Sequence, residues 1–171
     1  GVRIEDECTL GSIACGQKTI VVGSLDADGY PEQPETLKVS KTSSSGKTRD
    51  EREKPDIVAP GELILAACSR TLVLREHISG TSISAAAVTG TVALMLAEAR
   101  SIGIDLTADD ILEILRDEES EGVAPVSKKS SRKVWHPRLG RGCVSVEEAL
   151  KRVAARKQNP PSANPKSSKK R

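Results

Sequence analysis

The chain has 171 residues, a formal net charge of +2, no Phe, one Trp and one Tyr. Its length suits one domain, but the core has to be built from Ala, Val, Ile and Leu with little aromatic volume, so stability in isolation is expected to be low. No apolar run reaches the roughly 18 to 20 residues of a membrane span, since Thr89, Gly90 and Thr91 interrupt the longest one, and no apolar stretch behind a basic start marks a signal peptide after Gly1.

In chain order, Lys18 to Leu25 reads as a buried strand ending in Val-Gly-Ser-Leu, and residues 26–55 read as a long polar loop rich in Ser, Lys, Glu, Asp and Pro. Asp26-Ala27-Asp28-Gly29 inside it has turn chemistry rather than the alternating oxygen ligands of a calcium loop. Short strands are expected at 56–58 and 62–67, split by the turn residues Pro60 and Gly61, with a further extended stretch at 71–78. A helix begins at Ser82. Its residues up to Ala97 leave no broad polar face, which predicts a helix buried on all sides, with Gly90 admitting the close approach of another backbone. Gly103 stops that helix. Thr107 with Asp110 then forms a capping box for a helix over Ile111–Arg116, residues 117–142 read as an irregular surface segment, and Ser145 with Glu148 forms a second box for a helix to Lys157. Strands followed by long helices indicate an α/β layer architecture.

The remaining segment, 158–171, carries Lys166, Lys169, Lys170 and Arg171 with no acid, beside three prolines. It cannot bury enough apolar surface to order itself and is expected to be a disordered basic tail. Four charges without interleaved aromatics make a poor nucleic-acid site, so neither nucleic acid nor membrane is an expected partner.

Four cysteines, Cys8, Cys15, Cys68 and Cys143, show no Cys-x-x-Cys or Cys/His cluster, so no zinc site is expected. Two readings stand: Cys8 and Cys15 close a short loop in an oxidising compartment, or the thiols are free, with Cys68 behind the strand around Leu65 and Cys143 packed under the last helix.

Gly80-Thr81-Ser82 carries the chemistry. It sets a hydroxyl on a glycine hinge at the first turn of a helix, where unpaired N–H groups and a partial positive charge stabilise an oxyanion. Ser and Thr are also ordinary helix N-caps, so the tripeptide alone leaves a plain α/β binding domain open. The two histidines are poor candidate bases: His77 lies in the extended stretch before Ser82, and His136 sits beside Trp135 and Pro137 in a loop.

Four ordered blocks together resemble the subtilisin-like serine proteases, the subtilases. They are Lys18 to Asp26, Ser43 to Asp50 with Lys54-Pro55-Asp56-Ile57-Val58-Ala59-Pro60-Gly61, the nucleophile run Ser79 to Gly90, and His136 to Gly142 with Ala149-Leu150. The departures are Ile83 for the family's usual Met and Ala86-Ala87 for its usual Pro-His. The resemblance implies a partial subtilisin-like three-layer α/β fold, with a mostly parallel sheet and flanking helices, over residues 1–157. It also implies a serine endopeptidase in which Ser82 is the nucleophile, Gly80 and Thr81 support its loop, and a polypeptide is the substrate. The family's catalytic Asp and His and its oxyanion Asn would lie in an N-terminal half upstream of Gly1, leaving this chain nearly inert alone. An inactive scaffold or regulatory role is the alternative. No cofactor or metal is assigned. Calcium and a secreted location enter through the resemblance only.

Overall fold

A computed structural model describes residues 8–26, 38–67, 75–116 and 135–158. Cys68, most of the 26–55 loop before Lys38, residues 71–74, most of the 117–142 segment and the tail after Gln158 lie outside the described residues. A short 3-10 turn, Ser12–Cys15, precedes β1 (Val22–Asp26). Then come β2 (Lys38–Val39), β3 (Ile57–Pro60), β4 (Ile64–Ala67) and β5 (Arg75–Ile78), followed by α1 (Thr81–Ser101), α2 (Ala108–Arg116) and α3 (Val146–Gln158).

The parallel pair β1 and β3 is the spine. Val22 stands opposite Ile57 and Leu25 opposite Pro60. Val58 also bridges in parallel to Cys143, which brings the closing segment alongside β3. β2 pairs antiparallel with β1, and β4 and β5 form a separate antiparallel pair. The expected polar loop therefore contains β2, whose short pairing of Val39 with Leu25 escapes any periodicity reading.

Helices cover the spine as layered α/β packing requires. Val88, Met95 and Ala99 of α1 join Ile57 and Ala59 of β3, Ile111, Ile114 and Leu115 of α2, and Ala149 and Val153 of α3 in one core. Each fully buried Val or Met side chain is worth about 1.5–3 kcal/mol. A second, smaller cluster joins Leu25, Val58, Leu139 and Cys143. Cys143 thus packs beneath the strands rather than under α3. Burial pushes its thiol up to about 11.

The capping boxes are partly as read. Asp110 accepts from the Thr107 N–H at 2.8 Å while the Asp110 N–H donates to Thr107 Oγ1 at 3.2 Å, a full reciprocal box. Ser145 Oγ accepts from the Glu148 N–H at 3.3 Å, but the Glu148 carboxylate takes Arg152 on its own helix.

Two expectations about α1 are corrected. The helix is not buried on all sides among the described residues: Ala85, Ala86, Ala87, Gly90, Ala93 and Ala97 are exposed, and Leu94 is 50% exposed. A Cβ added at Gly90 would meet nothing within 4 Å, so no described backbone uses the gap. Thr81–Ser101 is also long and apolar enough to cross a membrane by length and composition alone. The three polar-leaning residues at its centre do not lower its hydropathy enough to fail that test, and the core helix of a water-soluble fold passes it as well.

Candidate active site

Ser82 is the second residue of α1 and is exposed. Its presentation depends on Gly80, the N-cap, whose φ of 144° and ψ of 160° lie where side-chain-bearing residues are strained. The Gly80 N–H donates to the Gly61 carbonyl at 2.7 Å, and the Gly61 N–H donates to the Leu25 carbonyl at 3.0 Å. Ser84, fully buried one residue beyond Ile83, donates its hydroxyl to the Ala59 carbonyl at 3.0 Å. The first turn of α1 is therefore stitched to the C-terminal ends of both β1 and β3.

Gly61 is needed there for space rather than for backbone conformation. A Cβ at this position would strike the Ser84 and Ser24 hydroxyls and come within 2.8 Å of the Gly80 carbonyl. Ser24 Oγ is itself buried with no hydrogen-bond partner among the described residues. A third tie runs through side chains. Ser79 Oγ accepts from the Leu63 N–H at 2.9 Å, and Ser40 Oγ donates to Glu62. The Ser40 and then the Ser79 hydroxyl hold the Glu62 carboxyl below the usual glutamate range. The Ser40 and Glu62 roles did not stand out in the sequence, because a single hydroxyl and a lone Glu carry no periodic or motif signal.

Within α1 the Ile83 and Ser84 N–H groups turn back to the Gly80 carbonyl, at 3.0 and 3.5 Å. Among the described residues the N–H groups of Thr81 and Ser82 have no acceptor, and the Ser82 hydroxyl has no hydrogen-bond partner. Such a turn offers donors to a developing negative charge. It offers no base. His77 is exposed, and its Nδ1 is paired with the Leu63 carbonyl at 2.9 Å. His136 is exposed in a turn, where its Nδ1 accepts from the Arg138 N–H at 3.2 Å. Among the described residues neither histidine is hydrogen-bonded to Ser82.

Cys8, Cys15 and Cys143 are free thiols. Among the described residues no three His, Cys, Asp or Glu side chains converge as metal ligands.

At the opposite end of the strand pair lies a cluster the sequence reading passed over. Asp56 is fully buried, and its Oδ2 accepts from the Val21 N–H and from Lys54 Nζ, both at 2.7 Å. Its Oδ1 takes the Arg116 guanidinium at 2.7 Å from Nε. Lys54 Nζ, equally buried, also donates to the Thr19 carbonyl at 2.7 Å. Lys54, Pro55 and Asp56 stood inside a quoted motif, but their opposite charges two residues apart were the signal for a buried pair.

Comparison with known proteins places these features in context. Residues 3–142 match the family model described as the subtilase family. Serine protease AprX of Bacillus subtilis is 32% identical over 66% of this chain and 27% of its own length. C5a peptidase of Streptococcus pyogenes is 30% identical over 66% of this chain and 10% of its own. Among solved structures, the CspB protease of Clostridium perfringens superposes with a TM-score of 0.68 at 28% identity, covering 85% of this chain and 29% of that one. The patellamide maturation protease PatA, at 24% identity and a TM-score of 0.60, covers 81% of this chain and 44% of that one and shares the fold. The chain therefore spans less than a third of the length of the curated relatives it matches.

Proposed function

Since the chain belongs to the subtilase family, whose relatives here are serine proteases, we propose that it supplies the nucleophile of a serine endopeptidase, with Ser82 attacking the peptide carbonyl. The observation that carries the proposal is the exposed Ser82 hydroxyl on the first turn of a 21-residue helix, behind a glycine at φ 144°. In this reading Ser82 Oγ loses its proton to a histidine, attacks the scissile carbonyl and forms an acyl-enzyme, expelling the amine half of the substrate. Water then releases the acyl half and restores the hydroxyl. The Ser82 N–H donates to the oxyanion, and Gly80 and Thr81 hold the turn that aims it.

The histidine, its orienting Asp and a second oxyanion donor are proposed to come from sequence outside these 171 residues. Two observations support that: neither His77 nor His136 is bonded to Ser82, and α1 exposes a face of small residues that suits the close approach of further chain. A polypeptide substrate follows from the same reading, as does a secreted setting, which rests on the family alone. Residues 1–157 are proposed as part of the catalytic domain, with the basic 158–171 segment outside it. No cofactor or metal is assigned.

The test is active-site labelling of the protein in a form that includes the upstream catalytic residues. A fluorophosphonate probe should modify Ser82, and Ser82→Ala should abolish labelling and peptide hydrolysis together. Labelling confined to other residues, or hydrolysis undiminished in Ser82→Ala, would overturn the proposal. The second reading, a non-catalytic scaffold, is favoured by Ala86-Ala87 in place of the family's Pro-His, and it is the outcome if no fluorophosphonate adduct forms at Ser82.

A further inference from the structure

The N-terminal ends of β1 and β3 border a cavity of about 280 Å³. Four cations line it, Arg52, Lys54, Arg116 and Arg141, against two carboxylates, Glu53 and Asp56, with Trp135 as a wall. Both carboxylates are engaged already. Asp56 holds Lys54, Arg116 and the Val21 N–H, and Glu53 takes Arg141 at 2.7 Å. Arg52 looks the other way for its acid, pairing through Nε with Asp50 at 2.8 Å, and its Nη2 donates to the Cys15 carbonyl at 2.6 Å. Counting Asp50, four cations face three carboxylates, which leaves one positive charge in excess.

Three of the four cations are guanidiniums. Each presents N–H donors in a planar fork, and Arg52 Nη1 is buried with no hydrogen-bond partner among the described residues, so pairing within the protein leaves a donor for a ligand. The fork matches the oxygens of phosphate and carboxylate groups. The floor is formed by the buried Lys54 and Asp56, and the low local dielectric strengthens charge interactions above it. Trp135 donates its indole N–H to the Pro55 carbonyl at 2.9 Å, which fixes the ring as a rigid side of the cavity.

We propose that this cavity binds a small oxyanion, of the phosphate or carboxylate class, seated among Arg52, Arg116 and Arg141. The excess charge and the fixed walls make it a preformed site whose ligand completes the ion balance. The inference does not depend on Ser82.

Calorimetric titration of the folded protein with inorganic phosphate, at ionic strength held constant with chloride, tests it. A parallel titration with succinate distinguishes a phosphate from a carboxylate ligand. Saturable one-to-one binding is expected, with a shift of the indole NMR signal of Trp135, identified by its loss in Trp135→Phe. Arg52→Gln should weaken binding about tenfold, and Glu53→Gln, which removes a competing carboxylate, should tighten it several-fold. The gain in Glu53→Gln cannot arise from misfolding. The proposal fails if neither anion saturates below about 50 mM, or if both variants bind as the parent does.

Discussion

The two ends of the β1–β3 pair are built from opposite materials. Along strands rising about 3.3 Å per residue, Val21 and Leu25 stand roughly 13 Å apart. At the Leu25 end most ties are between uncharged groups, the backbone of Gly61 and Gly80 and the hydroxyls of Ser79 and Ser84, with a single carboxylate, Glu62, held by the Ser40 and Ser79 hydroxyls. At the Val21 end they are ionic, with Asp56 enclosed by Lys54 and Arg116. The difference teaches where rigidity is needed and in what form. The turn that carries Ser82 is held by shape and mainly by hydrogen bonds between uncharged groups, the Glu62 carboxylate reaching it only through the Ser79 hydroxyl. The other end locks the strands with directly paired full charges.

The largest expected effect concerns the neutral end. In a form that includes the proposed upstream catalytic residues, Ser82→Ala should lower peptide hydrolysis by at least about 10³-fold, the scale on which serine proteases lose activity with a triad member, while urea unfolding stays within about 0.5 kcal/mol of the parent. The ionic end should show the reverse pattern. Asp56→Ala strands the buried Lys54 ammonium and should cost about 3–5 kcal/mol in urea unfolding. A loss below about 1 kcal/mol would show that the ion cluster is not what holds this end.

Gly61→Ala tests whether the neutral end works by shape. The added methyl meets two hydroxyls and the Gly80 carbonyl, and should cost about 1–3 kcal/mol and slow Ser82 labelling, because it displaces the turn itself. Unchanged labelling at reduced stability would separate the packing of Gly61 from the aim of Ser82.

Cys143, in the cluster between the two ends, gives a smaller effect. Its folded thiol titrates near 11, above the ordinary value of 9.0, because burial disfavours the thiolate. The stabilisation is therefore complete below the ordinary thiol value and is lost as pH rises from there through about 11. Urea midpoints measured across that window should fall, and Cys143→Ala should flatten the decline. Under native conditions a thiol reagent should modify the exposed Cys8 well before Cys143. The smallest effect is at His77, whose ring is exposed and paired with the Leu63 carbonyl. His77→Ala should leave the fluorophosphonate labelling rate within about twofold, and a loss of ten-fold or more would make His77 part of the site.

Much of this comparison was legible in the sequence, unevenly. The break at Gly61, the glycine before Ser82 and the Thr107–Asp110 box each rest on local backbone chemistry, which can be read from neighbours in the chain, whereas Pro60, read as a turn residue, is the last residue of β3 because it pairs with Leu25. The Ser40–Glu62 tie joins residues 22 apart, and Arg116 reaches Asp56 across 60. Pairings of that kind leave no periodicity. The burial of α1 was overread for a related reason. Small and aliphatic residues show that a face is able to be covered, but the cover itself is a tertiary fact, and Ala86, Ala93 and Leu94 lack it among the described residues.

That uncovered face of α1 bears on how the protein behaves in a test tube. A run of alanines around a half-exposed leucine is a surface on which separate molecules can stick. Preparations of these 171 residues should therefore grow more heterogeneous in size as they are concentrated, and replacing Leu94 with a charged residue should keep the light-scattering radius constant over the same range.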